Sequence, residues 1–186
     1  MKRKTLYVAS AVLMTAGLSF AGSPVGTTGR ESESTHARLL LRTVEVLAAN
    51  AASNADQAEW GSKLEGLSKN AQADYLTQIR DDINDMASRL RTLEGEQDSL
   101  APWEREAIVE AAPLLNDAAA NTEQAIQSLK DHPTALPQNT AYANFTDKIQ
   151  RDCKKTANLI GDYLKLNRAM DKEHQLRQDL DSKAHS

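Results

Sequence analysis

The sequence predicts an all-α protein: an antiparallel (up-down-up-down) four-helix bundle with long helices, preceded by a cleaved signal peptide. Apolar residues recur every three or four positions in four separate segments, which is the period of an amphipathic helix. The chain is rich in good helix formers and only 4% aromatic. Short connections between the four segments favour antiparallel neighbours. The competing architecture is a long helical hairpin that pairs into a dimer.

The N-terminus has the layout of a secretory signal peptide. The basic residues KRK follow Met1, and an apolar run occupies residues 6–20. Ser19 and Ala21 are the small residues that a signal peptidase reads, so cleavage is predicted after Ala21. The run is shorter than the roughly 20 residues that a membrane-spanning helix needs. We therefore expect a periplasmic or secreted protein without stable membrane insertion after residues 1–21 are removed.

Charge and cysteine content exclude several classes of protein. The formal net charge is −4, and removing residues 1–21 takes away basic residues but no acidic one. This acidity argues against nucleic acid and against anionic membrane surfaces as partners. Cys153 is the single cysteine, which excludes an internal disulfide framework and CxxC metal sites.

The predicted domain has simple boundaries. Residues 22–33 are rich in Gly, Ser, Thr and Glu without periodicity, and are predicted to form a disordered lead-in. The bundle is predicted over 34–180, with Ser34 or Thr35 as the first N-cap. A frayed tail is expected at 181–186. Breaks between helices are predicted at 60–62 (or earlier, at Ser53-Asn54), 95–101 and 131–137.

Each predicted helix has an apolar stripe with a repeat close to 3.5 residues, the signature of helices packed at shallow angles. Pro113 interrupts the third segment and should kink that helix. In chain order, the stripes are Leu40, Val44, Leu47 and Ala51; Leu76, Ile79, Ile83, Met86, Leu90 and Leu93; Ile108, Ala112, Leu115, Ala119, Thr122, Ile126 and Leu129; Tyr142, Phe145, Ile149, Asp152, Thr156, Leu159, Tyr163, Leu166 and Met170.

Asp152 conflicts with this count, because a buried carboxylate is costly unless it is paired. A local shift of register would place Cys153 inward and Asp152 in solvent, and we favour that arrangement. An inward cysteine behaves as a small apolar residue and needs no partner. An outward Cys153 would instead be a candidate for an intermolecular disulfide.

Three residues are candidate ligands for a metal or haem. In an up-down-up-down bundle the start of the first helix, with His36, shares one end with Met170 and His174 near the end of the last. In architecture and export this is similar to the periplasmic cytochrome b-type bundles, which hold haem between a methionine on the first helix and a histidine on the last. Here the first helix offers a histidine and no methionine, and ligand spacings within one helix are missing. Surface histidines explain these residues more simply.

No motif indicates catalysis. A Glu-x-x-His pair occurs once, at Glu33 and His36, whereas di-iron bundles need it on two helices. Nucleophile elbows and Gly-rich phosphate loops are missing. We expect no catalytic residue, no resident cofactor and no metal. The leading hypothesis is a noncatalytic exported bundle, an accessory or stress-related factor of the cell envelope that presents a helix face to another protein. A homodimer is a further option, and the alternative function is a metal- or haem-binding periplasmic bundle using His36, Met170 and His174.

Overall fold

The protein was analysed as a computed structural model that describes residues 27–63, 68–131 and 140–184, with side chains from Thr35 to Lys183 within those ranges. The predicted signal peptide lies outside the described residues, as does most of the break predicted at 131–137. The described chain contains four helices and no strand. They are α1 (Thr27–Ser62), α2 (Lys69–Gly95), α3 (Pro102–Asp131) and α4 (Thr140–Ala184).

The four helices pack against one another around a single core. Helices α1 and α3 each pack against both α2 and α4, so every helix has two principal neighbours. Each helix contributes to one continuous apolar cluster, for example through Val44, Met86, Leu115 and Ile149. The all-α prediction and the packing of four helices are confirmed.

Local chemistry explains where α2 and α3 begin and end. The Ser68 hydroxyl accepts a hydrogen bond from the Ala71 N–H at 3.2 Å, which caps α2. At its other end the Glu96 N–H donates to the Leu93 carbonyl at 3.0 Å. Pro102 opens α3 at a position where its missing N–H costs nothing. The break predicted at 95–101 is confirmed.

The first and last helices are longer than the predicted bundle. Helix α1 begins at Thr27, upstream of Ser34 and Thr35, and α4 continues to Ala184, through part of the tail expected at 181–186. Extending an existing helix by one residue costs far less than starting one. Near the C-terminus the Ser182 hydroxyl donates to the Asp179 carbonyl at 2.9 Å. The stop considered at Ser53-Asn54 is wrong, because α1 is helical through Ser62.

The stripe predicted for α2 is the one that the structure buries. All six positions from Leu76 to Leu93 are buried, and Gln72 extends the stripe by one turn. In α3 the positions 108, 115, 122 and 129 are buried as predicted, but Ala111, Ala118 and Ala125 are buried where Ala112, Ala119 and Ile126 were expected. Helix α3 continues through Pro113, which is exposed.

In the second half of α1, the side that faces the core consists largely of alanines. Ala48, Ala51, Ala55 and Ala58 are buried, whereas the predicted positions Leu40 and Leu47 are only partly buried. Because alanine is small, the backbone of α1 can approach its neighbours closely. The inward row starts at Ala37 and includes Leu41 and Val44.

Candidate functional site

Helix α4 has the register in which Cys153 faces the core. Cys153 is 1% exposed, whereas Asp152 is only partly buried. The buried row of α4 is Tyr142, Thr146, Ile149, Cys153, Thr156, Ile160, Leu164 and Asn167. The shift of register favoured from the sequence is therefore confirmed, and the assignment of Asp152, Leu159, Tyr163, Leu166 and Met170 to the centre of the stripe is wrong.

The environment of the Cys153 thiol keeps it protonated. Burial raises its pKa to about 12, and the negative charges of Asp152 and Asp82 act in the same direction. The thiolate is the reactive form of cysteine. An intermolecular disulfide would need an accessible thiol. The position of Cys153 therefore suits packing in the core rather than a covalent link between two chains.

A polar cluster lies where the start of α1 meets α4 and the start of α3. Arg38 Nη1 lies 2.9 Å from Asp171 Oδ2. The Asn167 side-chain N–H donates to the same Asp171 oxygen at 3.2 Å. Glu104 Oε2 accepts a hydrogen bond from the Ala101 N–H at 2.8 Å. We call Arg38, Glu104, Asn167 and Asp171 the Arg38 cluster.

The Arg38 cluster is only partly satisfied. Glu104 is fully buried, and its Oε1 has no hydrogen-bond partner among the described residues; the same holds for Arg38 Nε. Burial raises the pKa of Glu104, while the Ala101 N–H and the charge of Arg38 oppose that rise. Glu104 occupies the third position of α3, where a glutamate commonly bonds back to the residue before the helix. In the sequence, only this position indicated a structural role for Glu104.

The three candidate ligand residues lie at this end of the bundle, but His36 and His174 contact different residues. His36 Nε2 is 4.0 Å from Oε1 of Glu96, the residue that follows α2, and both side chains are exposed. His174 Nε2 lies 3.0 Å from the side-chain nitrogen of Gln178, and Met170 is exposed one turn earlier on α4. Within the described parts of the chain, no group of three or more His, Cys, Asp or Glu side chains is arranged to hold a metal ion. Metal or haem binding by these residues stays a prediction.

The last turns of α4 project past the packed core. Every described residue from Arg168 to Lys183 is exposed. Leu166, Met170, Leu176 and Leu180 are 54–67% exposed. At about 100° per residue these four side chains lie within an arc of about 120°. Glu173 and Arg177 lie in the same arc and form an ion pair of 2.6 Å. We call the four apolar residues the α4 apolar face.

A second surface feature is an open polar cleft between α1 and α2. It is lined by Asn50, Ser53, Asn54, Gln78, Asp81 and Asp82. Partial burial raises the pKa of Asp82, and the neighbouring carboxylates Asp85 and Asp81 add to the rise. Asp81 is exposed and Asp82 is partly buried.

Comparisons with known proteins leave the family of this chain undefined. Among the described residues, no helix combines the length and apolarity that crossing a bilayer requires. No protein-family model, curated protein or solved structure gives a significant match to the chain.

Proposed function

We propose that this protein is a noncatalytic, exported, up-down-up-down helical bundle that binds another protein through the α4 apolar face. It would serve as an accessory or stress-related factor of the cell envelope. The observation that carries the proposal is the exposed apolar arc on α4, most of which lies beyond Asn167, the last buried residue described in that helix. Large apolar side chains clustered on one side of a projecting helix are typical of a surface that another protein covers.

Contacts between helices support the antiparallel order. Along α1 and α4, Arg38 pairs with Asp171, and Glu45 Oε1 lies 2.7 Å from where a Cβ on Gly161 would stand. Further along, Asp56 and Lys154 line one groove. The residue numbers rise in α1 as they fall in α4, as antiparallel helices require.

Two further neighbouring pairs follow the same rule. For α1 and α2, His36 lies near Glu96, while Asn50 and Asp81 share a cleft. For α3 and α4, the carboxylate of Glu110 acts on the Tyr163 hydroxyl, and farther along α3 the carboxylate of Asp117 acts on that of Asp152. These pairings support the up-down-up-down order and leave little support for a single long hairpin.

The α4 apolar face has the features of a helix that docks in a groove. Its apolar residues are spaced at four, six and four positions, so they remain on one side over four turns. The Glu173–Arg177 ion pair lies within the arc, so a partner that covers the face also meets this pair. Lys172 and Asp181 flank the face on its two sides with opposite charges, which favours a protein partner over a membrane surface.

Site-specific photo-cross-linking in cells tests the proposal. A photoreactive amino acid at Leu176 should give a discrete heterologous adduct, and Leu180→Glu should remove it without changing helicity. The matched control is a photoreactive residue at Val109, an apolar α3 position that is 71% exposed, which should give no such adduct. Equal adducts at both positions, or adducts insensitive to Leu180→Glu, would contradict the proposal.

Export has a test of its own. The mature protein should begin at Gly22 and be recovered outside the cytoplasm, because Ser19 and Ala21 fit the cleavage positions. An intact mass that retains residues 1–21 in a membrane pellet would contradict the signal-peptide prediction.

The alternative function is metal or haem binding at the same end of the bundle. Met170 and His174 line a shallow groove on α4 together with Glu173, which supports this alternative. A Soret band or a stoichiometric metal signal in the purified protein, lost on His174→Ala, would favour it over protein binding.

A further inference from the structure

The outer face of α1 presents a regular row of exposed side chains. Leu39, Val46 and Trp60 are 52–63% exposed, and Ser53 completes a series with a spacing of seven residues. Seven residues make almost two helical turns, so the series stays on one side of the helix. This side is opposite the buried row that includes Leu41 and Ala48. The row is separate from the α4 apolar face.

A second exposed row runs beside the first. It consists of Arg42, Ala49 and Asp56, again seven residues apart. Neither Arg42 nor Asp56 forms an ion pair with another described side chain. The two charges are opposite in sign and equidistant from Ala49. We call the seven residues of both rows the α1 outer face: Leu39, Arg42, Val46, Ala49, Ser53, Asp56 and Trp60.

We propose that the α1 outer face binds the same face of a second copy of this chain, antiparallel, with the two-fold axis at Ala49. That symmetry brings Arg42 of each copy opposite Asp56 of the other, so the dimer contains two Arg42–Asp56 pairs. It also sets Leu39 within one residue of the level of Trp60, and Val46 within one residue of the level of Ser53. Ala49 meets its own counterpart at the centre, where its small side chain lets the helices approach closely.

The parallel arrangement is disfavoured by the same charges. It would place Arg42 against Arg42 and Asp56 against Asp56, and like charges at close range are destabilising. Only the antiparallel pairing is self-complementary, which is the requirement for a closed two-fold dimer. The charge pattern therefore selects both the partner and its direction.

The size of the face sets the expected strength. From Leu39 to Trp60 the helix rises about 32 Å, and a strip one helix wide buries well under the roughly 1,200 Å² typical of stable complexes. The two ion pairs are exposed and contribute modestly. We expect a weak dimer whose population depends on concentration.

Charge exchange in the full mature chain tests the pairing by sedimentation equilibrium. Arg42→Asp and Asp56→Arg should each weaken dimerisation by about tenfold, since each creates two like-charge contacts. The double exchange should restore the parent dissociation constant, because it re-forms both pairs with the signs reversed. Monomer at every concentration, or a double variant weaker than either single one, would overturn the proposal.

Cysteine trapping tests the direction. Ala49→Cys should form a covalent dimer under mild oxidation, while Arg42→Cys and the control Val109→Cys should not. Faster trapping at Arg42→Cys would indicate parallel helices and overturn the antiparallel pairing. The double variant Leu176→Glu/Leu180→Glu should leave dimerisation intact. If it removes the dimer, the α4 apolar face is the contact between copies and the α1 outer face is not.

Discussion

The Tyr142 hydroxyl of α4 donates a hydrogen bond to Gln72 Oε1 of α2 at 2.6 Å, with both side chains fully buried. These two helices are not principal neighbours in the bundle, so the bond crosses its interior. Burial raises the pKa of the Tyr142 hydroxyl well above its usual range, which keeps it a donor. The Gln72 side-chain nitrogen has no partner among the described residues. The bond therefore fixes two helices at the expense of one unsatisfied donor.

Removing one partner of this bond should cost more than removing both. We expect Tyr142→Phe to lower the free energy of unfolding by about 1–3 kcal/mol, because the Gln72 carbonyl loses its donor in a buried place. The double variant Tyr142→Phe/Gln72→Leu should recover much of that loss, since the donor and the acceptor of this bond are then removed together. A double-mutant cycle by urea denaturation measures this coupling. Additive effects of the two changes would contradict it.

Leu90 and Asp81 test the register of α2. Leu90 is buried in the core and Asp81 is exposed. Leu90→Ala should lower the free energy of unfolding by about 2–5 kcal/mol through lost burial and a residual cavity. Asp81→Lys should be nearly neutral, because its ion pair with Arg80 is exposed. Urea melts that rank the two substitutions equally would contradict the assigned faces.

Glu104 predicts a specific dependence of stability on pH. Its pKa is raised in the folded protein, chiefly by burial, so the folded state binds this proton more tightly than the unfolded state. The contribution of Glu104 to the free energy of unfolding therefore increases as the pH falls. The increase runs from the raised pKa of the folded state down to the pKa of the unfolded state, near 4.5. We expect Glu104→Gln to be more stable than the parent at neutral pH, with a difference that shrinks on acidification.

The difference between the parent and Glu104→Gln isolates this group. Asp82 and Asp152 also have raised pKa values, but they are present in both proteins and cancel in the comparison. Thermal melts between pH 4 and 8 provide the measurement. A difference that stays constant over this range, or that grows on acidification, would show that Glu104 does not titrate as its buried position requires.

Cys153 should react slowly in the native protein. The buried thiol has little thiolate at neutral pH, since its pKa is raised to about 12. A thiol reagent should modify it quickly only after unfolding, and non-reducing gels of the parent should show monomer. Cys153→Ser should destabilise the bundle modestly, because it buries a hydroxyl without an assured partner. Rapid native labelling would place Cys153 at the surface.

The quality of the sequence prediction varied between helices for physical reasons. In α2 large aliphatic residues occur at one set of positions, so only one inward face exists. In α3 alanines stand side by side, as at Ala111 and Ala112, and their periodicity cannot tell which of them faces the core. In α4 the sequence pattern left two registers open between Asp152 and Cys153, and the cost of burying a carboxylate decided between them.

The surfaces were harder to predict than the core. Leu166 and Met170 continue the apolar period of α4, which predicts that both belong to the stripe. Leu166 is exposed because it points away from the core between the buried Leu164 and Asn167, and Met170 follows Asn167, the last buried residue described in α4. Where the core ends along a helix depends on how four separate segments align in space, and no local pattern encodes that alignment. The buried side chains of Gln72 and Glu104 were missed because their polarity predicts exposure.

The contact between Arg38 and Asp171 also bears on how the chain can be cut and rejoined. These residues belong to the first and last helices, so a short linker can connect the two ends of the helical region without crossing the core. The exposed turn at Glu96–Asp98 can then supply new termini, because such turns tolerate interruption. A circularly permuted chain that starts at α3 and ends at α2 would retain every principal helix pair. Sequence order is thus a replaceable feature of this architecture, and helix adjacency is the invariant one.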